Sequence, residues 1–183
     1  METSSSDRLF VITGGPGSGK STLIGALTTQ GVCTMPEAGR AIIQDQVAIG
    51  GTALPWADRH AFAELMLAWE MRSYRTAKEY TGPVVFDRGI PDVLGYLRLH
   101  HLSVPRHVAR AAEMFRYHSR VFIAPPWLEI FTVDAERKQS FAEARATHEA
   151  MVETYAGLGY QSLSLPCVSV AERARFVLTE MTR

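Results

Sequence analysis

The segment at 14–21, with the sequence GGPGSGKS, constrains the fold of this chain more than any other feature. Glycines stand at its first and sixth positions and are followed by lysine and serine, a spacing typical of a loop that wraps around phosphate groups. Glycine is needed there because side chains would hold the backbone amides away from phosphate oxygens. An apolar, β-branched run at 9–13 comes before the loop, and a helical pattern follows it. The segment is therefore predicted to join a buried strand to a helix.

The residues of this loop are expected to take different roles. Lys20 is predicted to reach the terminal phosphates of a nucleoside triphosphate, and the Ser21 hydroxyl is predicted to coordinate Mg²⁺. The positive end of the helix that begins near Gly19 adds to the attraction for phosphate. We expect ATP, or alternatively GTP, to be bound by the following residues: Gly15, Pro16, Gly17, Ser18, Gly19, Lys20, Ser21 and Thr22.

Short apolar runs alternate with helical patterns along the whole chain. Strands are predicted at 9–13, 32–35, 84–87, 121–124 and 163–165, and helices at 20–28, 60–80, 105–118, 134–156 and from Ser169 onward. Ser169 and Glu172 have the spacing of a capping box, which marks the start of the last helix. This alternation favours an α/β fold, a three-layer sandwich with about five parallel strands covered on both faces. With 183 residues and no internal linker, we expect one domain over 1–183, with a flexible start at 1–7.

Charge and composition exclude several classes of partner. Lys plus Arg and Asp plus Glu both number 19, so the net charge gives no reason to expect nucleic acid or an anionic membrane as the main partner. No apolar run approaches the length that spans a bilayer, and the polar start does not resemble a signal peptide. We therefore expect a cytoplasmic protein. The oligomeric state is left open.

Acidic residues follow two of the predicted strands. Asp87 comes directly after an apolar run at 84–86, and Glu37 follows the second strand. The carboxyl ends of parallel strands converge on the ligand crevice, so Asp87 is predicted to help hold Mg²⁺, and Glu37 to accept a proton from a substrate hydroxyl. Arg88 is predicted to contact the phosphoryl group or the acceptor. Alternatively, Asp87 and Arg88 cap a helix and form a surface ion pair, and Arg40 pairs with Glu37.

Together these motifs resemble the P-loop kinase fold of nucleoside and nucleotide kinases, and within it the small bacterial AAA-domain ATPases related to the ribosylnicotinamide kinase domain. The stretch Met35-Pro36-Glu37-Ala38 is similar to the one that carries the catalytic glutamate of deoxynucleoside kinases. Asp87-Arg88 resembles the Asp-Arg pair of thymidylate kinases. The segment at 134–141 resembles the arginine-bearing lid of the fold, which implies a helical lid at about 134–146 in which Arg137 covers the phosphates.

The resemblance implies a magnesium-dependent phosphotransferase that moves the γ-phosphate of ATP to a hydroxyl of a small molecule, either nucleoside-like or another metabolite. A nucleotide-dependent switch and a plain NTPase remain alternatives, because the fold alone does not define an activity. The catalytic residues are predicted to be Lys20, Glu37, Asp87, Arg88 and Arg137. The substrate is predicted to contact Glu37, Arg40, Arg59, Asp92 and Tyr96. The sequence Gly89-Ile90-Pro91-Asp92 departs from the serine-rich segment of nucleoside kinases, so their nucleoside specificity is not transferred.

Overall fold

The computed structural model describes residues 5–131 and 140–183. Their strands are β1 (Leu9–Gly14), β2 (Cys33–Met35), β3 (Val84–Asp87), β4 (Arg120–Ala124) and β5 (Gln161–Ser164). Their α-helices are α1 (Lys20–Thr29), α2 (Ala38–Ile49), α3 (Arg59–Ala77), α4 (Ile90–Leu99), α5 (Arg106–Met114), α6 (Phe141–Gly157) and α7 (Val170–Met181). Short 3₁₀ turns lie at Ser5–Arg8 and Leu128–Ile130. Strands and helices therefore alternate over most of the chain, as the sequence predicts.

The strands form one parallel sheet in the order β2-β3-β1-β4-β5. The central strand β1 pairs with β3 on one side, where Leu9 is opposite Val84, and with β4 on the other, where Ile12 is opposite Phe122. Because all strands run in the same direction, their carboxyl ends share one edge. The loop after β1 therefore leaves the middle of that edge, beside the ends of β3 and β4.

Two apolar layers cover the sheet, one on each face. On one face, Phe10 and Ile12 of β1 pack with Leu23 of α1 and Val177 of α7. On the other face, α3, α4, α5 and α6 cover the alternate strand residues, which include Val11 and Phe86. The predicted three-layer α/β sandwich of five parallel strands is thus confirmed. Strands buried on both faces need continuous apolar sequence, which explains the runs in β1, β3 and β4.

Helix α2 lies outside this sandwich and packs on α3. Its Ala38 and Ile42 form a small buried cluster with Phe62 of α3. Glu37 is the N-cap residue of α2, so the helix begins directly after the carboxylate that follows β2. This arrangement brings Glu37 to the same edge of the sheet as the loop after β1.

Some boundaries differ from the sequence prediction. Helix α3 ends at Ala77 and α5 ends at Met114, both earlier than their apolar patterns suggest. Helix α6 begins at Phe141 with Ser140 as its cap, while the predicted start at Asp134 lies outside the described residues. Helices α2 and α4 were not assigned from sequence. Pro91 of α4 suggests a break, yet proline fits the first turn of a helix, where its missing N–H is not needed.

No helix in residues 5–131 and 140–183 is long and apolar enough to cross a membrane.

Candidate functional site

The loop between β1 and α1 is tightly enclosed by backbone. A Cβ atom placed on Gly15 would lie 2.2 Å from the carbonyl oxygen of Ala144 in α6, a distance that no real side chain tolerates. Gly19, the N-cap of α1, has a φ of 77°, in the left-handed region that glycine favours. Glycines are therefore required both by the close approach of α6 and by the turn into α1.

Lys20 curls back over this loop. Its Nζ donates hydrogen bonds to the carbonyl oxygens of Gly14 at 3.1 Å and Gly15 at 2.7 Å. Burial, assisted by the positive charge of Arg88, lowers the pKa of Lys20 to about 8. Lys20 Nζ also donates to the Ser18 hydroxyl at 3.4 Å. A buried ammonium whose hydrogen-bond acceptors are neutral oxygens is a good partner for an incoming anion, because phosphate oxygens would compensate its lost hydration.

Asp87 ends β3 beside the loop and carries an unsatisfied oxygen. Its Oδ1 atom is buried and accepts no hydrogen bond from any described residue. Burial, reinforced by the nearby Glu37 carboxylate, raises the pKa of Asp87 to about 6. An ionised but unpaired buried oxygen needs a cation or a donor that the described protein does not supply.

Asp87 and Ser21 open into one cavity of about 240 Å³. The residues that line it come from α1, from the start of α2 and from the end of β3: Ser21, Glu37, Arg40, Ala41, Gln44 and Asp87. Hydroxyl and carboxylate oxygens are the ligands that Mg²⁺ prefers, so Ser21 and Asp87 fit this ion. The described residues contain no group of three or more His, Cys, Asp or Glu side chains that could hold a metal. Mg²⁺ usually keeps several waters and phosphate oxygens as ligands and needs only one or two protein ligands.

Arg88 connects the carboxylates of Glu37 and Asp92 near the loop. Its Nε donates to Glu37 Oε1 at 3.0 Å, and its Nη1 donates to Asp92 Oδ1 at 3.1 Å. The backbone of Arg88 has a φ of 73°, a left-handed conformation that is uncommon for a residue with a side chain. Although burial opposes ionisation of Glu37, the charges of Arg88 and Lys20 outweigh it and lower the pKa of Glu37. Glu37 is therefore ionised and fixed in direction at neutral pH.

Asp92 is buried and its oxygens are engaged by the protein. Besides Arg88, the side chain accepts hydrogen bonds from the Thr13 hydroxyl, from the Gly89 backbone N–H at 3.0 Å and from the Tyr155 hydroxyl at 2.7 Å. This network ties β1, α4 and α6 together beneath the site. Asp92 does not line the cavity, so its predicted substrate contact has no support from this geometry, while its position accounts for the orientation of Arg88.

The remaining predicted substrate residues are spread over a wider area. Arg40 is exposed on the first turn of α2 and lines the cavity. Tyr96 is half-buried against Phe62 and His100, and its hydroxyl is enclosed without a hydrogen-bond partner among the described residues. Arg59 is exposed at the start of α3. Of the three arginine and tyrosine candidates, the structure thus brings only Arg40 to the cavity.

Sequence analysis missed three polar residues near the site. Gln44 of α2 lines the cavity. Glu70 of α3 is 3% exposed, and burial followed by the charges of Asp92 and Asp87 raises its pKa well above the usual range. Arg173 of α7 is also 3% exposed and donates to the carbonyl oxygen of Ser18 in the loop at 3.0 Å. Glu70 and Arg173 could have been noticed as charged residues at apolar positions of an amphipathic helix.

The predicted lid is only partly described. Arg137 lies outside the described residues, as does most of the segment that precedes α6. Within α6, Arg145 is exposed and lies 3.8 Å from Glu149, which makes it a surface residue rather than part of the site.

Comparison with known proteins agrees with this architecture. The model of the family described as AAA domain matches residues 9–173. No curated protein matches the chain in sequence. Among solved structures, that of NadR protein in complex with NR has a TM-score of 0.72 and 16% sequence identity over 96% of this chain. The chain spans about half, 51%, of the NadR chain.

Two further structures match over nearly their full length. Thymidylate kinase from Ehrlichia chaffeensis has a TM-score of 0.61 and 14% identity, covering 96% of this chain and 99% of its own. Deoxyadenosine kinase from M. mycoides with bound dATP has a TM-score of 0.59 and 12% identity, covering 96% of this chain and 100% of its own. At this level of identity the likeness establishes the fold, that of P-loop kinases, and not the substrate.

Proposed function

This chain belongs to the AAA domain family, and on that premise we propose that it binds ATP with Mg²⁺ and transfers the γ-phosphoryl group to a hydroxyl of a small molecule. GTP is the alternative donor. The acceptor is nucleoside-like or another hydroxylated metabolite of similar size.

The observation that carries this proposal is the cavity beside Ser21. A protein that only binds or hydrolyses a nucleotide needs the loop, a metal ligand and a water. This cavity is also lined by a guanidinium and an amide, from Arg40 and Gln44, in addition to the carboxylates of Glu37 and Asp87. A small number of polar groups that converge on one concave space can fix the orientation of a second small ligand. Its position next to the phosphate loop would place that ligand's hydroxyl near the terminal phosphate.

Glu37 is our candidate for the residue that orients the acceptor hydroxyl and takes its proton. It lines the cavity, and Arg88 fixes it through Oε1, at 3.0 Å. A lowered pKa makes Glu37 a weak base. Because phosphoryl transfer passes through a loose transition state, orientation of the nucleophile matters more than base strength. An ionised carboxylate in a fixed position is therefore suited to this step.

The phosphate groups would be held by the loop amides and by Lys20, which would exchange its carbonyl partners for phosphate oxygens. Ser21 and Asp87 would hold Mg²⁺, and the ion would neutralise charge that develops on the transferred group. Arg88 lies close enough to Lys20 to lower its pKa, so both cations act on the same region. Arg137 remains our predicted lid residue, which would add positive charge over the phosphates.

A second function is favoured by one observation. Glu37 forms an ion pair with Arg88, and 32% of the Glu37 side chain is exposed. A glutamate with a purely structural role would form the same ion pair. In that case the protein is a nucleotide-dependent switch or a plain NTPase, and the nucleotide changes the conformation near the loop.

The reaction is tested with purified protein, Mg²⁺ and either ATP or GTP, alone and with a panel of nucleosides and small hydroxylated metabolites. Mass spectrometry follows phosphorylated products while free phosphate is measured in parallel. A phosphorylated acceptor supports the kinase. Phosphate release at the same rate with and without every acceptor supports the NTPase or switch.

Glu37→Gln separates these functions. We expect the variant to lose about 10²- to 10⁴-fold in acceptor phosphorylation, because the positioned base is removed, while its affinity for ATP stays within about threefold. The matched control is Glu113→Gln, the same change at an exposed glutamate on α5, which should leave both quantities unchanged. If Glu37→Gln retains full transfer, Glu37 is structural. Lys20→Ala should impair every candidate function and so identifies the nucleotide site only.

A further inference from the structure

A groove on the outer face of α2 and α3 has no function in the site described above. It has a volume of about 320 Å³ and is lined by Ile42, Asp45, Gln46, Leu65, Ala68, Trp69 and Arg72. No described residue outside these two helices lines it.

The two helices contribute stripes of regular spacing to this face. On α2 the stripe follows positions 42, 45, 46 and 49, and on α3 it follows 65, 68, 69 and 72. Residues three and four apart lie on one side of a helix, so each stripe forms a continuous seam. Ile49 is 75% exposed and Leu65 is 38% exposed, although both are large and apolar. Ile49 and Leu65 therefore leave apolar surface exposed on this face, beside the polar side chains of Asp45 and Gln46, a mixture that is common at protein–protein contacts.

Opposite charges stand on the two sides of the groove. Asp45 belongs to α2 and Arg72 to α3, and both are exposed. Within residues 5–131 and 140–183, neither forms an ion pair, whereas Glu37, Asp92 and Glu180 each pair with an arginine. An acid and a base on the same face, each without a partner in its own chain, make that face self-complementary in charge.

We infer that this face is the interface of a two-fold symmetric dimer. In such an interface the same patch is used twice, so a residue that contacts a second residue across the axis is matched by the reverse contact. Asp45 of each subunit would therefore pair with Arg72 of the partner subunit. The exposed apolar side chains of Ile49 and Leu65 would be covered in the same interface.

The dimensions of the face set the expected affinity. Helix α3 has 19 residues and is about 28 Å long at about 1.5 Å per residue. Two helices side by side are about 20 Å wide, so each subunit contributes on the order of 500 Å². This is below the roughly 800 Å² per partner of a standard stable interface. The dimer should therefore be weak, with a micromolar Kd.

Charge reversal tests the pairing directly. Sedimentation velocity over about 2 to 200 µM would bracket a micromolar Kd. The wild-type protein should associate with rising concentration, and Asp45→Arg and Arg72→Asp should each raise the Kd by at least about tenfold, because like charges then meet at both contacts. Glu153→Arg, on the exposed face of α6, changes the charge as Asp45→Arg does and should associate like the wild type.

The decisive sample is an equimolar mixture of Asp45→Arg and Arg72→Asp. One variant then carries two arginines and the other two aspartates at these positions, so a heterodimer regains both ion pairs. We expect the mixture to associate like the wild type while each variant alone associates at least about tenfold more weakly, and we expect the double variant with both changes to associate like the wild type as well. Any of three results would overturn the inference. The wild type could be monomeric at every concentration, the single variants could associate as tightly as the wild type, or the mixture could stay monomeric. Circular dichroism of each variant excludes misfolding as the cause.

Discussion

Arg88 shows how one side chain organises the site. Its side chain donates hydrogen bonds to both Glu37 and Asp92, and its backbone N–H donates to the carbonyl oxygen of Ile12 in β1 at 2.9 Å. Asp92 is in turn held by Tyr155. The direction of Glu37 is therefore fixed through a chain of contacts that reaches from α2 to α6. A substitution at Arg88 would change the acceptor side of the site even if it never contacts substrate.

Asp87 should make metal-assisted binding depend on pH. Its carboxyl must be ionised to hold Mg²⁺, and its pKa is raised to about 6, so it is mostly ionised at pH 7.5 and mostly protonated at pH 5. Mg²⁺ should increase the affinity for ATP, and we expect this increase to become smaller as the pH drops through about 6. Well below pH 6, the increase should shrink by close to tenfold for each pH unit. Calorimetric titrations with Mg²⁺ and with EDTA, at pH 5 to 7.5, measure this gain.

The control for this prediction is Asp87→Asn, which keeps the shape of the side chain and has no proton to lose. Titration of ATP itself contributes equally to both proteins, so the difference between them reports Asp87. An equal dependence on pH in the wild type and in Asp87→Asn would show that Asp87 does not hold the metal.

At the scale of elements, α7 illustrates a helix that sequence specifies well. The Ser169 hydroxyl and the Glu172 carboxylate form the predicted capping box, in which the Ser169 N–H donates to Glu172 at 3.2 Å. The helix packs on α1, and its Arg173 contacts the phosphate loop. A signal four residues long thus fixes where the helix starts, and with it the position of Arg173 against the loop.

Ser169→Ala should lower the free energy of unfolding by about 1 kcal/mol, because it leaves an N-terminal amide of α7 without its acceptor. Ser169→Asp keeps an oxygen acceptor, so its free energy of unfolding should stay close to that of the wild type. Urea unfolding followed by circular dichroism gives both values. Equal losses in the two variants would mean that the serine acts through something other than capping.

The sequence predicts the strands better than it predicts the helices around the acceptor side. β1, β3 and β4 are buried on both faces, so their apolar runs are unambiguous. Helix α2 has Gly39 near its start and only a narrow buried side, formed by Ala38 and Ile42, and it therefore lacks a strong periodic pattern. The motif residues Lys20, Ser21, Glu37 and Asp87 were placed at one edge because parallel strands end together. Gln44, Glu70 and Arg173 depend on tertiary packing, which no local pattern encodes.

For the whole molecule, the two apolar layers share one sheet, so we expect the chain to unfold as a unit. A nucleotide that binds only the folded state increases the free energy of unfolding by about 2.7 kcal/mol when its concentration is one hundred times its Kd. For a protein of this size, that should raise the Tm of a single transition by about 5 to 10 °C. Scanning calorimetry with and without Mg²⁺ and ATP measures the shift.

Lys20→Ala is the matching variant for this experiment, since it should fold but lose most of the shift. Two transitions, of which ATP moves only one, would contradict the prediction of a single domain.

The order of the strands also determines when the nucleotide site first exists during protein synthesis. β1 is made early, but its neighbours in the sheet are β3 and β4, and β4 ends at Ala124 of 183 residues. Until those strands have left the ribosome, β1 is an apolar segment without partners, and its loop has no enclosure. Long-range parallel pairing of this kind forms slowly. A nascent chain should therefore begin to bind ATP only after β4 has been translated.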